Sequence, residues 1–226
     1  MIIIKALIVF HGLRENKKQM FNILSKISRY YDTIICSDMP GHGNNTLEFN
    51  KDNTLKYVIN QYDRVKNYEE IDVLGYSIGG VLAVFLQHLR KIDNLYLLAP
   101  ALYYIFPGNF KFLKYKSKSK NKTNLTKSNK FIYFIEFVKI TNYVKREVNI
   151  VVPNTYLFIG EDDYLVSYKS VKVLFDNCIS ENKSIMIIPN TTHTSILNSE
   201  KVINNLEIII KNKWFFLKMN NIILLL

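Results

Sequence analysis

The sequence predicts an α/β protein with a mostly parallel central sheet of about six strands and helices on both faces. Two observations support this: short β-branched, apolar segments recur along the chain, and longer amphipathic segments lie between them. With 226 residues, of which 48% are hydrophobic and 22% charged, the chain can bury a full core. We expect one domain over residues 1–226 that contains an insertion at 101–149.

The predicted strands are short and apolar, as strands buried on both faces of a sheet should be. The opening MIIIKALIVF is interpreted as such a strand and not as a signal peptide, because Lys5 interrupts it and no small-residue cleavage site follows. No apolar run is long enough for a membrane-spanning helix. The predicted strands are Ile2–Phe10, Thr33–Ser37, Ile71–Gly75, Leu95–Leu98, Thr155–Ile159 and Ser184–Ile187.

Between the strands, apolar residues recur at helical spacing. The segment Ile78–Leu89 is almost wholly apolar, which is typical of a helix packed under a sheet, and Ser199 is a suitable N-cap for the last helix. The predicted helices are Lys17–Tyr30, Thr54–Tyr68, Ile78–Leu89, Ser167–Asn177 and Ser199–Trp214.

The insertion at 101–149 interrupts this alternation and carries most of the net charge of +11. No acidic residue occurs between Asn94 and Ile135, whereas eight lysines fall between positions 111 and 130, which leaves +3 for the rest of the chain. Because the excess is local, a basic groove for nucleic acid is not expected. The lysine run is predicted to be a solvated loop, and the aromatic segment FIYFIEFVKI (131–140) a packed helix.

The two cysteines, Cys36 and Cys178, cannot form a disulfide framework. We therefore expect a reducing compartment and a cytoplasmic location.

The segment GYSIGG (75–80) follows the strand IDVL and precedes the apolar helix. This is G-x-S-x-G in the strand–turn–helix setting of a nucleophile elbow, where the turn is so tight that small residues are needed on both sides of the serine. The hydroxyl of Ser77 would project at a helix N-terminus, which favours developing negative charge. The alternative is a glycine-rich turn without chemistry.

A nucleophilic serine needs a base and a carboxylate that orients the base. In enzymes with this elbow, both follow the serine, each after a later strand. The candidate base is His193, which follows the strand SIMIIP. Three acidic residues follow Gly160, and the spacing Gly160-x-x-Asp163-x-x-Val166 directs the third residue after the glycine inward. We therefore favour Asp163 as the acid over Asp162 and Glu161. No clustered ligand set remains for a metal, and no cofactor is expected.

The tetrahedral oxyanion of acyl transfer needs two preorganised hydrogen-bond donors. We expect the backbone N–H of Ile78, directly after the serine, and that of Leu13, in the loop after the first strand. His11 in the same loop is predicted to be structural.

The sequence resembles the α/β-hydrolase superfamily, in its branch of small carboxylesterases, monoacylglycerol lipases and serine aminopeptidases. The matching segments span most of the chain: LIVFHG (7–12), DMPGHG (38–43), VLGYSIGGVLA (73–83), LYLLAPA (95–101), GEDDYLV (160–166) and the late His193. The resemblance implies hydrolysis through an acyl-enzyme, with Ser77 as nucleophile, His193 as general base and then acid, and Asp163 orienting the imidazole.

Three features depart from the family pattern. No antiparallel hairpin precedes the HG strand, so a minimal six-stranded sheet is expected, and Thr192 stands where a glycine often precedes the histidine. The tail MNNIILLL (219–226) has no counterpart in the family pattern.

In this family the insertion after the LAPA strand caps the active site, so residues 101–149 would be the cap. Tyr76, Tyr103, Tyr104 and Phe106 are candidates to line the substrate site. Aromatic residues beside lysines resemble interfacial surfaces, so the predicted substrate is an ester or a lipid such as a monoacylglycerol or lysophospholipid, with weak cap contact to anionic membrane. Alternatively, the aromatics pack over the sheet and the lysines only solubilise the loop.

Other functions also fit parts of the sequence. An aminopeptidase would need a cap carboxylate, for which Glu136 and Glu147 are the candidates. A thioesterase or acyltransferase would use the same three residues, whereas a dehalogenase would need aspartate at position 77. A non-catalytic binding module on the same scaffold is the alternative outside enzymes.

Overall fold

The computed structural model describes residues 3–103, 127–211 and 222–225, which contain one open sheet of seven parallel strands. The strand order is β2-β1-β3-β4-β5-β6-β7. The strands are Lys5–Phe10 (β1), Thr33–Cys36 (β2), Glu70–Tyr76 (β3), Asn94–Leu98 (β4), Asn154–Gly160 (β5), Lys183–Ile188 (β6) and Ile222–Leu225 (β7). The predicted α/β class with a parallel sheet is confirmed.

The seventh strand was not predicted and comes from the C-terminal tail. It pairs in parallel with β6, with Ile223 opposite Ile185. Four consecutive Ile and Leu residues suit an extended chain, and β6 would otherwise leave its outer backbone groups unpaired at the sheet edge.

The helices cover both faces of the sheet, since strands such as β4 are buried at every residue. Helices α1 and α6 contact each other, and α2, α3 and α4 contact one another. Within the described ranges, no helix has both the length and the apolarity to cross a membrane. The helices are Phe21–Ile27 (α1), Lys51–Asp63 (α2), Ile78–Leu89 (α3), Lys127–Glu147 (α4), Tyr168–Asp176 (α5) and Glu200–Lys211 (α6).

Some predicted helix bounds need correction. Helix α2 begins at Lys51, three residues earlier than expected, because the side chain of Asn50 accepts a hydrogen bond from the Asn53 N–H at 2.9 Å. It ends at Asp63 and not at Tyr68. The predicted helix 17–30 is α1 flanked by two short 3₁₀ turns. Helix α6 begins after Ser199 as expected, and positions 212–214 lie outside the described residues.

Helix α4 contains the aromatic segment of the insertion, and its prediction as a packed helix is confirmed. Its inner face buries Phe137, Ile140 and Val144, whereas Phe131 on the other side is exposed. The lysine run between 111 and 126 lies outside the described residues, so its prediction as a loop stays a prediction.

The topology brings the candidate site residues to one edge of the sheet. The chain passes from β1 to β2 on one side and from β3 to β4 on the other, so a topological switch point lies between β1 and β3. In parallel α/β sheets, ligands bind at the carboxyl ends of the strands that flank such a point. Leu13 follows β1 and Ser77 follows β3 directly. The loops after β5 and β6, which carry Asp163 and His193, end at the same edge.

Candidate active site

Ser77 connects β3 to α3 in a strained turn. Its backbone has φ 56° and ψ −117°, a conformation that residues other than glycine rarely adopt. A side chain on Gly75 would come within 2.4 Å of the Gly79 carbonyl oxygen, and one on Gly79 within 2.1 Å of the Phe10 carbonyl oxygen. The spacing G-x-S-x-G is therefore required by the packing of β3 and α3 against β1.

His193 lies within hydrogen-bonding distance of the elbow serine. Its Nε2 is 3.0 Å from Ser77 Oγ, and its side chain is 4% exposed. Because the Nδ1–H on the other side of the ring donates to a carboxylate, Nε2 is the acceptor and the serine hydroxyl is the donor. This is the arrangement that a general base needs before it removes a proton.

Asp163 completes the chain of hydrogen bonds. His193 Nδ1–H donates to Asp163 Oδ2 at 2.8 Å, and the other carboxylate oxygen accepts from the N–H groups of Leu165 and Val166, each at 2.9 Å. The Asp163 side chain is 1% exposed, whereas Glu161 and Asp162 are exposed residues. The structure thus brings the predicted acid, and neither of its neighbours, to the histidine.

The loop after β6 carries threonine at a position where the family resemblance suggested glycine. Thr192, at the position where glycine was expected, donates its N–H to Ser195 Oγ at 2.8 Å, and the preceding carbonyl of Thr191 accepts from the Asp162 N–H at 3.0 Å. These bonds fix the loop next to the turn that carries Asp163.

The two predicted oxyanion donors lie on loops that the fold holds in place. Gly12 N–H donates to the Gln19 side chain at 3.0 Å, which fixes the loop at Leu13. Ile78 is the first residue of α3, where backbone N–H groups have no partner within the helix. No hydrogen bond among the described residues uses the N–H of Leu13 or of Ile78, so both remain available to an oxyanion.

His11 is structural, as predicted. It is fully buried, its Nδ1–H donates to the Gly12 carbonyl at 2.8 Å, and its Nε2 accepts the Met39 N–H at 3.0 Å. Burial lowers its pKa. The ring therefore ties the loop after β1 to the loop after β2.

The candidate substrate-lining residues divide into three cases. Tyr76 is 3% exposed, and its hydroxyl donates to the His193 carbonyl at 2.9 Å, so it lies behind the histidine and offers no surface to a substrate. Tyr103 is half-buried, with its N–H donating to Ser170 Oγ at 3.0 Å. Tyr104 and Phe106 lie outside the described residues.

Helix α4 is attached to α2 by a residue whose role was not predicted. Glu136 is 8% exposed; one carboxylate oxygen accepts the Lys51 N–H at 2.8 Å and the other accepts from Lys139 Nζ at 2.6 Å. The Tyr133 hydroxyl on the same helix donates to the Gly41 carbonyl. Since Glu136 is 85 positions away from Lys51 in sequence, no local pattern could reveal this contact.

Among the residues that the structure describes, no group of three His, Cys, Asp or Glu side chains could hold a metal ion. Both cysteines are free thiols, and Cys178 is buried.

Comparison with known proteins found similarity in structure alone. No protein-family model and no curated protein matches the sequence. Among solved structures, a metagenome-derived lipolytic enzyme matches with a TM-score of 0.74 at 14% identity, over 92% of this chain and 94% of the other. A monoacylglycerol lipase from Paleococcus ferrophilus matches with a TM-score of 0.68 at 16% identity, over 93% of both chains.

A peroxisomal α/β-hydrolase from Saccharomyces cerevisiae matches with a TM-score of 0.73 at 15% identity, over 94% of this chain and 78% of the other. At such identities the likeness concerns the fold. It agrees with the segments from LIVFHG to His193 that carried the resemblance in the sequence. The chain has the α/β-hydrolase fold.

Proposed function

We propose that this protein is a serine hydrolase that cleaves carboxylic esters through an acyl-enzyme intermediate. The observation that carries the proposal is the continuous hydrogen-bonded chain from Ser77 Oγ through His193 to Asp163, at 3.0 and 2.8 Å. Three residues far apart in sequence meet with hydrogen-bond geometry suited to proton transfer. The serine also lies in a strained turn at a helix N-terminus, as a nucleophile elbow requires.

In the acylation step, His193 Nε2 removes the Ser77 hydroxyl proton while Oγ attacks the ester carbonyl carbon. The carbonyl oxygen becomes an oxyanion, which the N–H groups of Leu13 and Ile78 stabilise. When the intermediate collapses, the bond to the alcohol oxygen breaks and His193 gives its proton to that oxygen. The alcohol leaves, and the acyl group remains on Ser77 as an ester.

In the deacylation step, His193 removes a proton from water, whose oxygen attacks the acyl carbon. Collapse of the second oxyanion breaks the bond to Ser77 Oγ, which recovers the proton from His193. The carboxylic acid leaves and the enzyme returns to its starting state. Asp163 stabilises the imidazolium in both steps and holds Nδ1 protonated, so that Nε2 is always the nitrogen that faces Ser77.

For the substrate class we propose acyl esters such as monoacylglycerols or lysophospholipids. Two of the structural neighbours are a lipolytic enzyme and a monoacylglycerol lipase, which supports this class. The outer side of α4 supports it further: Phe131 is 64% exposed, Ile132 45% and Ile135 36%. Three exposed large apolar side chains on one helix suit contact with acyl chains.

The same apolar residues lie next in sequence to the lysine run, which suits contact with an anionic lipid surface. The test is flotation with vesicles of anionic or neutral phospholipid at low and high salt. We expect binding to the anionic vesicles at low salt and its loss in Phe131→Ser/Ile135→Ser. Absence of binding to anionic vesicles at low salt would refute the membrane contact while leaving the esterase proposal intact.

The aminopeptidase alternative is disfavoured by the partners of its candidate carboxylate. Glu136 is occupied by the Lys51 N–H and by Lys139, and Glu147 is exposed at the last residue of α4. A buried carboxylate that already has two donors does not offer a site for a substrate amine. Thioester hydrolysis uses the same steps, with a thiol as the leaving group.

The proposed function is tested by labelling the purified protein with a fluorophosphonate probe, which phosphonylates activated serines. We expect labelling of the wild type and none of Ser77→Ala, followed by hydrolysis of p-nitrophenyl esters with a preference among acyl lengths. A folded wild type that is neither labelled nor active on esters would favour the non-catalytic binding module.

A further inference from the structure

Tyr76 is the residue before Ser77, yet its side chain contacts the loop that carries His193. The tyrosine hydroxyl donates to the His193 backbone carbonyl at 2.9 Å. Its ring lies against the imidazole, with 5.2 Å between ring centroids and an angle of 35° between the planes. Both residues are more than nine-tenths buried, at 3% and 4% exposure, so this contact is shielded from water.

The same ring also fills the space beside Gly12. A Cβ atom on Gly12 would lie 2.8 Å from Cε1 and 2.9 Å from Cδ1 of Tyr76. Gly12 precedes Leu13, whose N–H is a proposed oxyanion donor. One side chain therefore touches the loop of the base and the loop of the oxyanion donor, while its own backbone belongs to the elbow.

We propose that Tyr76 is a positioning residue that holds the His193 imidazole in line between Ser77 and Asp163. The inference rests on the proposed function, because it assigns Tyr76 a role in the same proton transfer. Tyr76 itself does not touch the reacting atoms. It acts through the main chain of His193 and through the face of the imidazole.

The physical reason is that the hydrogen bonds of the imidazole to Ser77 and Asp163 restrain the ring but do not fix the backbone of His193, from which the side chain extends. His193 follows Thr191 and Thr192 in a turn, and the direction of its Cα–Cβ bond depends on how its peptide is held. The Tyr76 hydroxyl holds the carbonyl of that residue, and the tyrosine ring limits rotation of the imidazole. Burial raises the pKa of Tyr76 well above its ordinary value, so the hydroxyl remains a donor.

The test compares Tyr76→Phe with Tyr57→Phe. The first keeps the ring against His193 and Gly12 and removes only the hydroxyl. The second is a matched control, because Tyr57 is also buried and donates to a backbone carbonyl, that of Ser37, at 2.8 Å. The measurements are the rate of fluorophosphonate labelling, and kcat and KM for a p-nitrophenyl ester. The labelling rate and kcat are corrected for the folded fraction of each variant, which thermal unfolding gives.

We expect Tyr76→Phe to lower the labelling rate and kcat about ten-fold with KM nearly unchanged, since small displacements of a catalytic group are costly. In the proton NMR spectrum, the low-field signal of the His193 N–H that is bonded to Asp163 should broaden through faster exchange. Tyr57→Phe should change the melting temperature alone.

The inference is overturned if Tyr76→Phe is labelled as fast as Tyr57→Phe and keeps the wild-type low-field signal. A melting temperature lowered equally in both variants, with no kinetic difference, would likewise reduce Tyr76 to a structural role. If even the wild type is not labelled, the proposed function fails, and the NMR comparison alone then decides whether Tyr76 holds the imidazole.

Discussion

A Cβ atom on Gly160 would lie 2.0 Å from the carbonyl oxygen of Thr191, so the turns after β5 and β6 meet without room for a methyl group. Asp162 N–H donates to the same carbonyl at 3.0 Å. This contact is what brings the loop of His193 to the loop of Asp163. Gly160 is therefore required for the approach of the two loops and not for an unusual backbone angle.

From this contact we predict that Gly160→Ala separates His193 from Asp163. The methyl group must push the Thr191 carbonyl away, at a cost on the order of 1–3 kcal/mol in the free energy of unfolding. Fluorophosphonate labelling of the folded fraction should slow strongly. The control is Glu161→Ala, at the next, exposed position. Equal labelling rates in the two variants would show that the contact does not position the histidine.

We predict that Asp163→Asn lowers kcat/KM for a p-nitrophenyl ester by roughly 10³- to 10⁴-fold, because the amide no longer fixes the tautomer of His193. The matched control is Asp162→Asn, which changes an exposed carboxylate one position away and should leave kcat/KM close to the wild type. A larger loss of kcat/KM in Asp162→Asn than in Asp163→Asn would contradict the assignment of the orienting role to Asp163.

Much of the site was predictable because its constraints are local. The elbow requires glycine at positions 75 and 79, and the strand–turn–helix order around Ser77 can be recognised from residue types alone. The predicted bounds of α3, Ile78–Leu89, agree with the structure. Asp163 was predicted from its spacing after Gly160, and the geometry brings it to the histidine.

What was missed depends on contacts between distant segments. The sequence predicts that Tyr76 faces the substrate. The structure places its side chain against the loop of His193 instead, and that contact joins segments too far apart in sequence to be recognised from residue types. Glu136 was considered as a substrate ligand, whereas it caps the start of α2. The strand 222–225 has no turn or alternation signal of its own; its pairing depends on the free edge of β6.

We predict that Glu136→Gln weakens the attachment of α4 to α2. The carboxylate accepts the Lys51 N–H at a helix N-terminus, where negative charge is favourable, so its neutralisation should lower the free energy of unfolding by about 1 kcal/mol. Urea unfolding at pH 7 measures this. Lys139→Ala removes only a largely exposed partner, at 57% exposure, and should cost less. A cost for Lys139→Ala equal to that for Glu136→Gln would attribute the effect to the ion pair instead.

Two buried groups, Asp72 and His42, are predicted to respond to pH in opposite directions. Asp72 is fully buried, and burial raises its pKa to about 6 although Asn94 and Tyr31 donate to it. A raised pKa means that the folded state binds the proton more tightly, so the stabilisation is complete below pH 3.8 and is lost as the pH rises through 6. The difference of about two pKa units corresponds to about 3 kcal/mol.

His42 has the opposite sign. Burial lowers its pKa to about 4, its Nδ1–H donates to the Pro40 carbonyl, and its Nε2 has no hydrogen-bond partner among the described residues. A lowered pKa means that the unfolded state binds the proton more tightly, so stability is complete above pH 6.5 and is lost as the pH falls through 4. The magnitude is again about 3 kcal/mol.

Over pH 4–6.5 the two contributions therefore nearly cancel, and single variants should reveal them. In Asp72→Asn the free energy of unfolding should increase with pH relative to the wild type, because His42 remains. In His42→Asn, whose amide can still donate to Pro40, it should decrease with pH. Urea unfolding at pH 4.5, 5.5 and 6.5 measures both slopes. If both variants shift the slope in the same direction, then at least one of these residues does not titrate as its burial requires.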